Sequence, residues 1–225
     1  MAFFSINMEL GYWGIKGRAE AIRLELAYLN LQYNEVNPTS PAEVAVLAEK
    51  HHLDFPNLPY IVDGDYHLTE SLAIPLYIAN KAGASEFFGK AGPEQAVHQM
   101  LVGVLQDFNQ SLYEVFFSAD YATLFEQKAA FFNKKLKQLS DFLGQKQFFL
   151  GYVTYSDFLF YSYFHGLQVL LRSLDKTSSV ESHANLEGLI QRVSQLHGVK
   201  EFLASDARNQ LPFLPQYLVK FPLKD

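Results

Sequence analysis

The first 84 residues alternate between strand-like and helix-like runs, and this alternation constrains the fold more than any other feature of the chain. Short runs of β-formers predict four strands, and apolar residues three or four positions apart predict three helices. In chain order the segments are INMELGYW, GRAEAIRLELAYLN, LQYNEV, SPAEVAVLAEK, PYIVD, YHL and TESLAIPLYIANKAG. This βαβαββα order predicts a mixed sheet with helices packed on it.

Local signals support several of these elements. Ser40 followed by Pro41 is typical of a helix start, with proline at the first helical position. Asp63 and Gly64 predict the tight turn of a β-hairpin between the third and fourth strands. Pro75 lies about one turn into the last helix of this region, where it removes one hydrogen bond and can kink the axis.

The pattern changes after the first domain. Residues 85–92 are rich in small residues, and they predict a linker between a domain at 1–84 and an all-helical domain at 93–225. Within the second domain, the spacing of Thr154 and Asp157 predicts a capping box at a helix start. We therefore expect a structural role for this aspartate.

Composition excludes several classes of function. The 225 residues include 18 Lys and Arg against 24 Asp and Glu, with no basic tract, so we expect no nucleic-acid partner. The chain has no cysteine, which excludes disulfides and a catalytic thiol. No apolar run reaches the roughly 18 residues of a membrane span, and no pair of its histidines has a metal-ligand spacing. The N-terminal segment lacks the basic start of a secretory signal. We expect a cytoplasmic protein without a metal.

Several spaced motifs resemble those of one family. LGYWGIKGRAEAIRL, LDFPNLPYIVDG and TESLAIPLYIA closely resemble the first domain of cytosolic glutathione S-transferases, and SDFLGQKQFFLGYVTYSDFLFY resembles the capping-box segment of their helical domain. LGYW and LDFPNLPY resemble the mu class, whereas GRAEAIR and SLAI are also similar to the sigma class. The resemblance implies a thioredoxin-like domain, a helical domain, and a homodimer with one glutathione site per subunit.

The resemblance implies that the Tyr12 hydroxyl is the catalytic group, donating a hydrogen bond to the glutathione sulfur. A free thiol has a pKa of about 8.5, so only a few per cent is thiolate at neutral pH. Lowering that pKa by two units requires about 2.7 kcal/mol. A charge-assisted hydrogen bond supplies about 1.5–3 kcal/mol. One hydroxyl therefore meets much of the requirement without a protein nucleophile.

The resemblance also implies the glutathione-binding residues, which are Trp13, Arg18, Lys50, Asn57, Leu58, Pro59, Glu70, Ser71 and Asp107. Pro59 is expected in cis, with the Leu58 backbone beside the cysteinyl part. Ser71, at a helix start, is expected to bind the γ-glutamyl carboxylate of glutathione. Glu70 is expected to bind the ammonium group, which Asp107 of a neighbouring subunit is also expected to reach. Lys50 is expected to hold the glycyl carboxylate.

The resemblance assigns two phenylalanines to other surfaces. Phe55 is expected to be the key that inserts into the partner subunit of the dimer. Phe117 is expected in the apolar electrophile pocket, without the hydroxyl that some mu enzymes have there. The implied activity is conjugation of glutathione to hydrophobic electrophiles in detoxification. A glutathione-dependent isomerase of the prostaglandin type, a peroxide-reducing activity and a non-catalytic binding or structural relative remain alternatives.

Overall fold

The computed structural model describes residues 8–225, which form two compact units. Unit 1 contains the chain up to Ser85 together with His197–Pro212, and unit 2 contains Glu86–Leu196 and Phe213–Asp225. The helical segment 197–212 thus groups with the N-terminal residues, whereas the sequence placed it in the helical domain. The predicted boundaries at 84, 92 and 93 stay a prediction.

The strands and helices follow the predicted order. The strands are β1 (Met8–Gly11), β2 (Asn34–Val36), β3 (Tyr60–Asp63) and β4 (Tyr66–Thr69). The helices are α1 (Glu20–Tyr28), α2 (Pro41–Lys50), α3 (Ala73–Lys81), α4 (Pro93–Phe117), α5 (Tyr121–Leu143), α6 (Tyr155–Ser173), α7 (Ala184–Ser194), α8 (Val199–Leu203) and α9 (Asp206–Asn209). Ile6 and Asn7, the start of the first predicted strand, lie outside the described residues.

The sheet of unit 1 is mixed, as predicted, with the strand order β2-β1-β3-β4. β1 runs parallel to β2 and antiparallel to β3, which pairs antiparallel with β4. One face of the sheet packs against α1 and α3 through a buried aliphatic cluster of Met8, Leu10, Ile22, Leu26, Ile61, Ile74 and Ile78. The fold class is therefore that of a thioredoxin-like domain with a separate helical unit.

The other face of β1 fixes the start of β3. The Tyr60 hydroxyl donates to Glu9 Oε1 at 2.7 Å, and a Cβ atom on Gly11 would lie 2.0 Å from the Tyr60 ring. Gly11 is thus required for the Tyr60 ring to cross β1. This contact holds the strand that directly follows Pro59.

Helix α3 begins at Ala73, four residues later than the sequence segment suggested. Pro75 is therefore in the first turn of the assigned helix, and it has no N–H to donate to the Ser71 carbonyl four residues before it. The Glu70 carbonyl accepts hydrogen bonds from the N–H groups of Ala73 and Ile74, at 3.0 and 3.1 Å. The bond from Ile74 is of the helical i→i−4 type and Pro75 cannot make the next one, which agrees with the predicted loss of one hydrogen bond and with the start of α3 at Ala73.

Unit 2 contains α4 to α7, and its capping box at α6 confirms the structural role of Asp157. The Asp157 carboxylate is fully buried and accepts hydrogen bonds from the N–H of Phe149 at 3.0 Å and of Thr154 at 2.8 Å. Burial raises the pKa of Asp157 to about 6, against the lowering effect of these hydrogen bonds. Among residues 8–225, no helix combines the length and apolar character needed to cross a bilayer.

Candidate functional site

Three of the sequence-predicted site residues lie at one edge of the sheet. Tyr12 directly follows β1, Pro59 directly precedes β3, and Glu70 directly follows β4. The strand register pairs Gly11 with Tyr60 and Tyr60 with Thr69. Because neighbouring strands are about 4.8 Å apart, these flanking residues come together although they are up to 58 positions apart in the sequence.

The hydroxyl of Tyr12 is held in a defined position. Its side chain is 6% exposed, and its hydroxyl oxygen accepts a hydrogen bond from the Arg18 N–H at 3.1 Å. Burial raises the pKa of Tyr12, and the Arg18 N–H and the charges of Arg18 and Arg23 lower it by less. The phenol therefore keeps its proton at neutral pH, and it can donate that proton in a second hydrogen bond.

Gly17 leaves the space that the hydroxyl occupies. Its φ angle is +42°, and a Cβ atom at this position would lie 2.7 Å from the Tyr12 hydroxyl oxygen. The segment GRAEAIR was predicted as one helix, but Gly17–Ala19 forms a 3₁₀ turn and α1 begins at Glu20. The turn places the Arg18 N–H under the hydroxyl.

The peptide bond between Leu58 and Pro59 is cis, which confirms the expectation from the resemblance. The Leu58 N–H, which was expected to face glutathione, donates to Oδ1 of Asn57 at 2.9 Å. The Asn57 amide in turn donates to Glu70 Oε1 at 3.4 Å. The structure thus brings these three predicted residues into one hydrogen-bonded group.

Glu70 and Ser71 lie in the turn before α3 rather than in its first turn. Glu70 has a φ angle of +75°, which is uncommon for a residue other than glycine and costs of order 1 kcal/mol or more. Ser71 is half-buried, and the helix cap at Leu72 has no side-chain hydrogen bond. Neither Thr69 nor Ser71 caps α3, whose N-cap position is Leu72.

The other predicted residues of unit 1 lie around this edge or beside it. Trp13 is half-buried, and its carbonyl accepts the Ile15 N–H at 2.6 Å. Arg18 and Lys50 are exposed, the latter as the last residue of α2. Phe55 is 75% exposed. High exposure within one chain is expected of a residue that inserts into another subunit.

Asp107 and Phe117 belong to α4 of unit 2. The Asp107 carboxylate is exposed and forms an ion pair with Lys135 of α5 at 3.2 Å. Phe117 is 45% exposed, and its ring stacks on Tyr113 with 5.7 Å between the ring centres. Their assigned roles toward glutathione and the electrophile stay predictions.

Comparisons with known proteins decide the family. Residues 8–80 match the family model "Glutathione S-transferase, N-terminal domain", and residues 106–206 match "Glutathione S-transferase, C-terminal domain". The chain belongs to the glutathione S-transferase family. It is 34% identical to "Glutathione S-transferase 2" of Gallus gallus, covering 87% of this chain and 89% of that protein. It is 32% identical to "Glutathione S-transferase Mu 2" of Homo sapiens, covering 93% and 94%.

Solved structures agree with this family. The glutathione S-transferase Blo t 8 superposes with a TM-score of 0.82 at 27% identity, over 94% of this chain and 98% of that one. Rat hPGDS complexed with a quinoline has a TM-score of 0.68 at 25% identity, over 88% of this chain and 96% of that one. The mixed sheet followed by helices is thus the architecture of known glutathione S-transferases.

Sequence reasoning missed the residues that hold the Tyr12 loop in this glutathione S-transferase. They are Gly17, Glu20, Arg23, Glu35 and Arg208, of which Glu20 and Arg23 are fully buried charges on α1. The sequence signal for them was the presence of charged residues inside the apolar pattern of a helix. Such side chains are rarely buried unless they are paired, so they indicate a buried ion pair.

Proposed function

We propose that this chain transfers glutathione to hydrophobic electrophiles and that Tyr12 stabilises the glutathione thiolate. The position of the Tyr12 hydroxyl carries the proposal. It is buried, its oxygen already accepts the Arg18 N–H, and burial keeps its pKa raised. Its single proton is thus available to a sulfur at the sheet edge. The names of the relatives support transferase activity.

The hydroxyl suits a thiolate better than a thiol. A hydrogen bond to an anionic acceptor is worth about 1.5–3 kcal/mol, and about 2.7 kcal/mol lowers a pKa by two units. The bond from the Arg18 N–H polarises the phenol and strengthens it as a donor. The thiol proton leaves for solvent, sulfur forms a bond to the electrophilic carbon, and the leaving group departs with the electron pair. Holding both reactants together adds to the rate.

Glutathione would replace contacts that the chain makes with itself. The cysteinyl carbonyl of the ligand would accept the Leu58 N–H, which now donates to Asn57 Oδ1, in the manner of a strand added to a sheet edge. The Glu70 carboxylate, which now accepts the Asn57 amide, supplies the negative charge for the ligand ammonium. Ser71 is proposed to hold the γ-glutamyl carboxylate, and Lys50 the glycyl carboxylate.

The remaining assignments follow the family. Trp13 and Arg18 are proposed to line the glutathione site, and Phe117 is proposed to contribute an apolar ring to the electrophile site. A homodimer is proposed, with Phe55 as its key. Asp107 would reach the ligand of the partner subunit only by exchanging its ion pair with Lys135. We propose a cytoplasmic role in detoxification.

Glutathione-dependent isomerisation is a second candidate. The sigma-like segments GRAEAIR and SLAI favour it, and GRAEAIR has Arg18 where mu enzymes commonly have an apolar residue. Arg18 already contacts Tyr12 through its backbone, and its exposed side chain carries a charge that acts on the Tyr12 hydroxyl. Isomerisation needs the same thiolate and returns glutathione unchanged.

The test compares conjugation of glutathione to chlorodinitrobenzene by the parent and by Tyr12→Phe. We expect Tyr12→Phe to bind glutathione but to lose about 10- to 150-fold in kcat/KM, which corresponds to 1.5–3 kcal/mol. Equal rates in parent and variant would refute the tyrosine mechanism. Binding of glutathione by both proteins without conjugation by either would leave isomerisation as the candidate, to be measured directly.

A further inference from the structure

The loop that carries Tyr12 is held by residues from distant parts of unit 1. The Arg23 Nη1 donates to the carbonyl of Ile15 at 2.9 Å and to the carbonyl of Lys16 at 3.2 Å. The Lys16 N–H donates to the carbonyl of Pro212 at 2.8 Å. The backbone between Tyr12 and Gly17 is therefore fixed from α1 on one side and from the C-terminal segment on the other.

Arg23 ties this loop to the sheet. Its side chain is fully buried, and its Nε donates to Glu35 Oε1 on β2 at 2.8 Å, while Nη2 forms an ion pair with the same oxygen. The guanidinium carbon lies 5.9 Å from the centre of the Tyr12 ring. A planar guanidinium can bond several acceptors at fixed angles, and here it joins the loop, β2 and the tyrosine ring.

Arg208 joins the C-terminal segment to the same group. Its Nε and Nη2 both lie 2.9 Å from Glu20 Oε1. Glu20 is buried, with a side chain 2% exposed, and its other oxygen lies 4.0 Å from Arg23 Nη1. Glu20 thus sits between two arginines, one from α1 and one from α9, 188 positions further along the chain.

The four side chains balance in charge, and Glu20 depends most on its partners because its side chain is buried. Two arginines and two glutamates meet, and removing one arginine leaves a buried carboxylate without its main partner. Without Arg208, the nearest cation to the Glu20 carboxylate is Arg23, 4.0 Å away, and the carboxylate draws Arg23 toward itself. This movement displaces the Ile15 and Lys16 carbonyls, which Arg23 bonds, and with them the turn that places the Arg18 N–H beside the Tyr12 hydroxyl.

We propose that Arg208 is a positioning residue for Tyr12. It acts through Glu20 and Arg23 on the loop, and it touches neither glutathione nor the electrophile. This role of Arg208 rests on the proposed thiolate mechanism. If the Tyr12 hydroxyl does not stabilise a thiolate, its position has no effect on the reaction. A displacement of about 1 Å is enough to weaken a hydrogen bond of this kind.

The test follows the ionisation of bound glutathione in the full-length protein. Ultraviolet absorbance of the thiolate against pH gives the apparent pKa of the bound thiol for the parent, Arg208→Met and Arg208→Lys. We expect Arg208→Met to raise this pKa by about one unit. At pH values below the pKa, the variant would then hold about tenfold less thiolate than the parent. Arg208→Lys keeps the positive charge but loses the two guanidinium donors that contact Glu20, and we expect a smaller rise in the pKa of the bound thiol.

The pH profile of conjugation separates positioning from a general loss of stability. We expect the rates of Arg208→Met and the parent to converge at high pH, where the thiol ionises unaided. The matched control is Arg192→Met, which removes an arginine on α7 that donates to the Gln147 carbonyl at 2.8 Å. We expect this control to leave the pKa of the bound thiol unchanged.

The outcomes distinguish the two proposals. If Tyr12→Phe raises the pKa of the bound thiol and neither Arg208 variant does, the positioning role of Arg208 is wrong. If Tyr12→Phe also leaves that pKa unchanged, the thiolate mechanism itself is wrong. If Arg208→Met does not fold, Arg208→Lys alone decides, and an unchanged pKa in that variant overturns the proposal.

Discussion

Gly17→Ala is expected to move the Tyr12 hydroxyl, the proposed catalytic group, without altering it chemically. The added Cβ would lie 2.7 Å from the Tyr12 hydroxyl oxygen, 3.0 Å from its Cε1 atom and 3.2 Å from Cδ1 of Ile15. These distances are too short for carbon contacts, and the end of the tyrosine side chain is the part able to move. The hydroxyl must then leave its place beside the Arg18 N–H, where it now accepts at 3.1 Å.

Two separate costs are expected. A left-handed φ angle costs a non-glycine residue about 1–2 kcal/mol, and this cost lowers the free energy of unfolding. Loss of the hydrogen bond to the thiolate costs about 1.5–3 kcal/mol, which lowers kcat/KM about 10- to 150-fold. The first cost depends on the backbone alone, whereas the second depends on the tyrosine.

Gly64→Ala is the matched control for the backbone cost. Gly64 has a φ angle of +61°, and an added Cβ would meet nothing within 4 Å. We expect both variants to lose the backbone cost in urea unfolding, Gly17→Ala to lose more because its Cβ also meets Tyr12 and Ile15, and only Gly17→Ala to lose conjugation activity. In the Tyr12→Phe background we expect Gly17→Ala to cause little further loss of activity. Activity within about threefold of the parent in Gly17→Ala would refute the reasoning.

Two further predictions concern stability and assembly. Burial raises the pKa of Glu25 well above its usual value, and neither carboxylate oxygen has a hydrogen-bond partner among the described residues. Between the unfolded-state pKa of about 4.5 and the higher pKa of the folded state, the folded chain therefore holds an extra proton, and its free energy of unfolding falls as pH rises, by up to about 1.4 kcal/mol per pH unit. We expect Glu25→Gln to gain stability over the parent across that range in urea unfolding; a difference independent of pH would contradict this. Phe55→Ala is expected to weaken the proposed dimer at least about tenfold, since burying a phenylalanine contributes about 1.5–3 kcal/mol. Light scattering over a dilution series measures the dissociation of the dimer, with Tyr217→Ala as the control because Tyr217 is 80% exposed. A Phe55→Ala variant as tightly dimeric as the parent would exclude Phe55 as the key residue.

Features set by neighbouring residues were predictable from the sequence. Ser40 accepts the Glu43 N–H at 3.2 Å as the cap of α2, and Gly64 forms the hairpin turn, because both depend on a few adjacent residues. The start of α3 was not predictable in this way. Glu70 adopts a left-handed backbone that no local preference for glutamate indicates, and the assigned helix begins only at Ala73.

The candidate site divides in the same way. Tyr12, Leu58 and Pro59 were found because the family motifs contain them, and strand register then brings them together. Arg208 was not found, because its ion pair with Glu20 joins residues 188 positions apart. No periodicity or spacing reports a contact at that separation.

The grouping of His197–Pro212 with the N-terminal residues has a consequence for biosynthesis. A ribosome releases the sheet and its first three helices long before it reaches Pro212, whose carbonyl accepts the Lys16 N–H. Domains generally fold as units from the N-terminus during synthesis, at about 5–20 residues per second. Here more than a hundred further residues must be synthesised before Pro212, the last backbone partner of the tyrosine loop, is available. A nascent chain halted at the predicted linker would carry every residue of the sheet edge but an incompletely held loop.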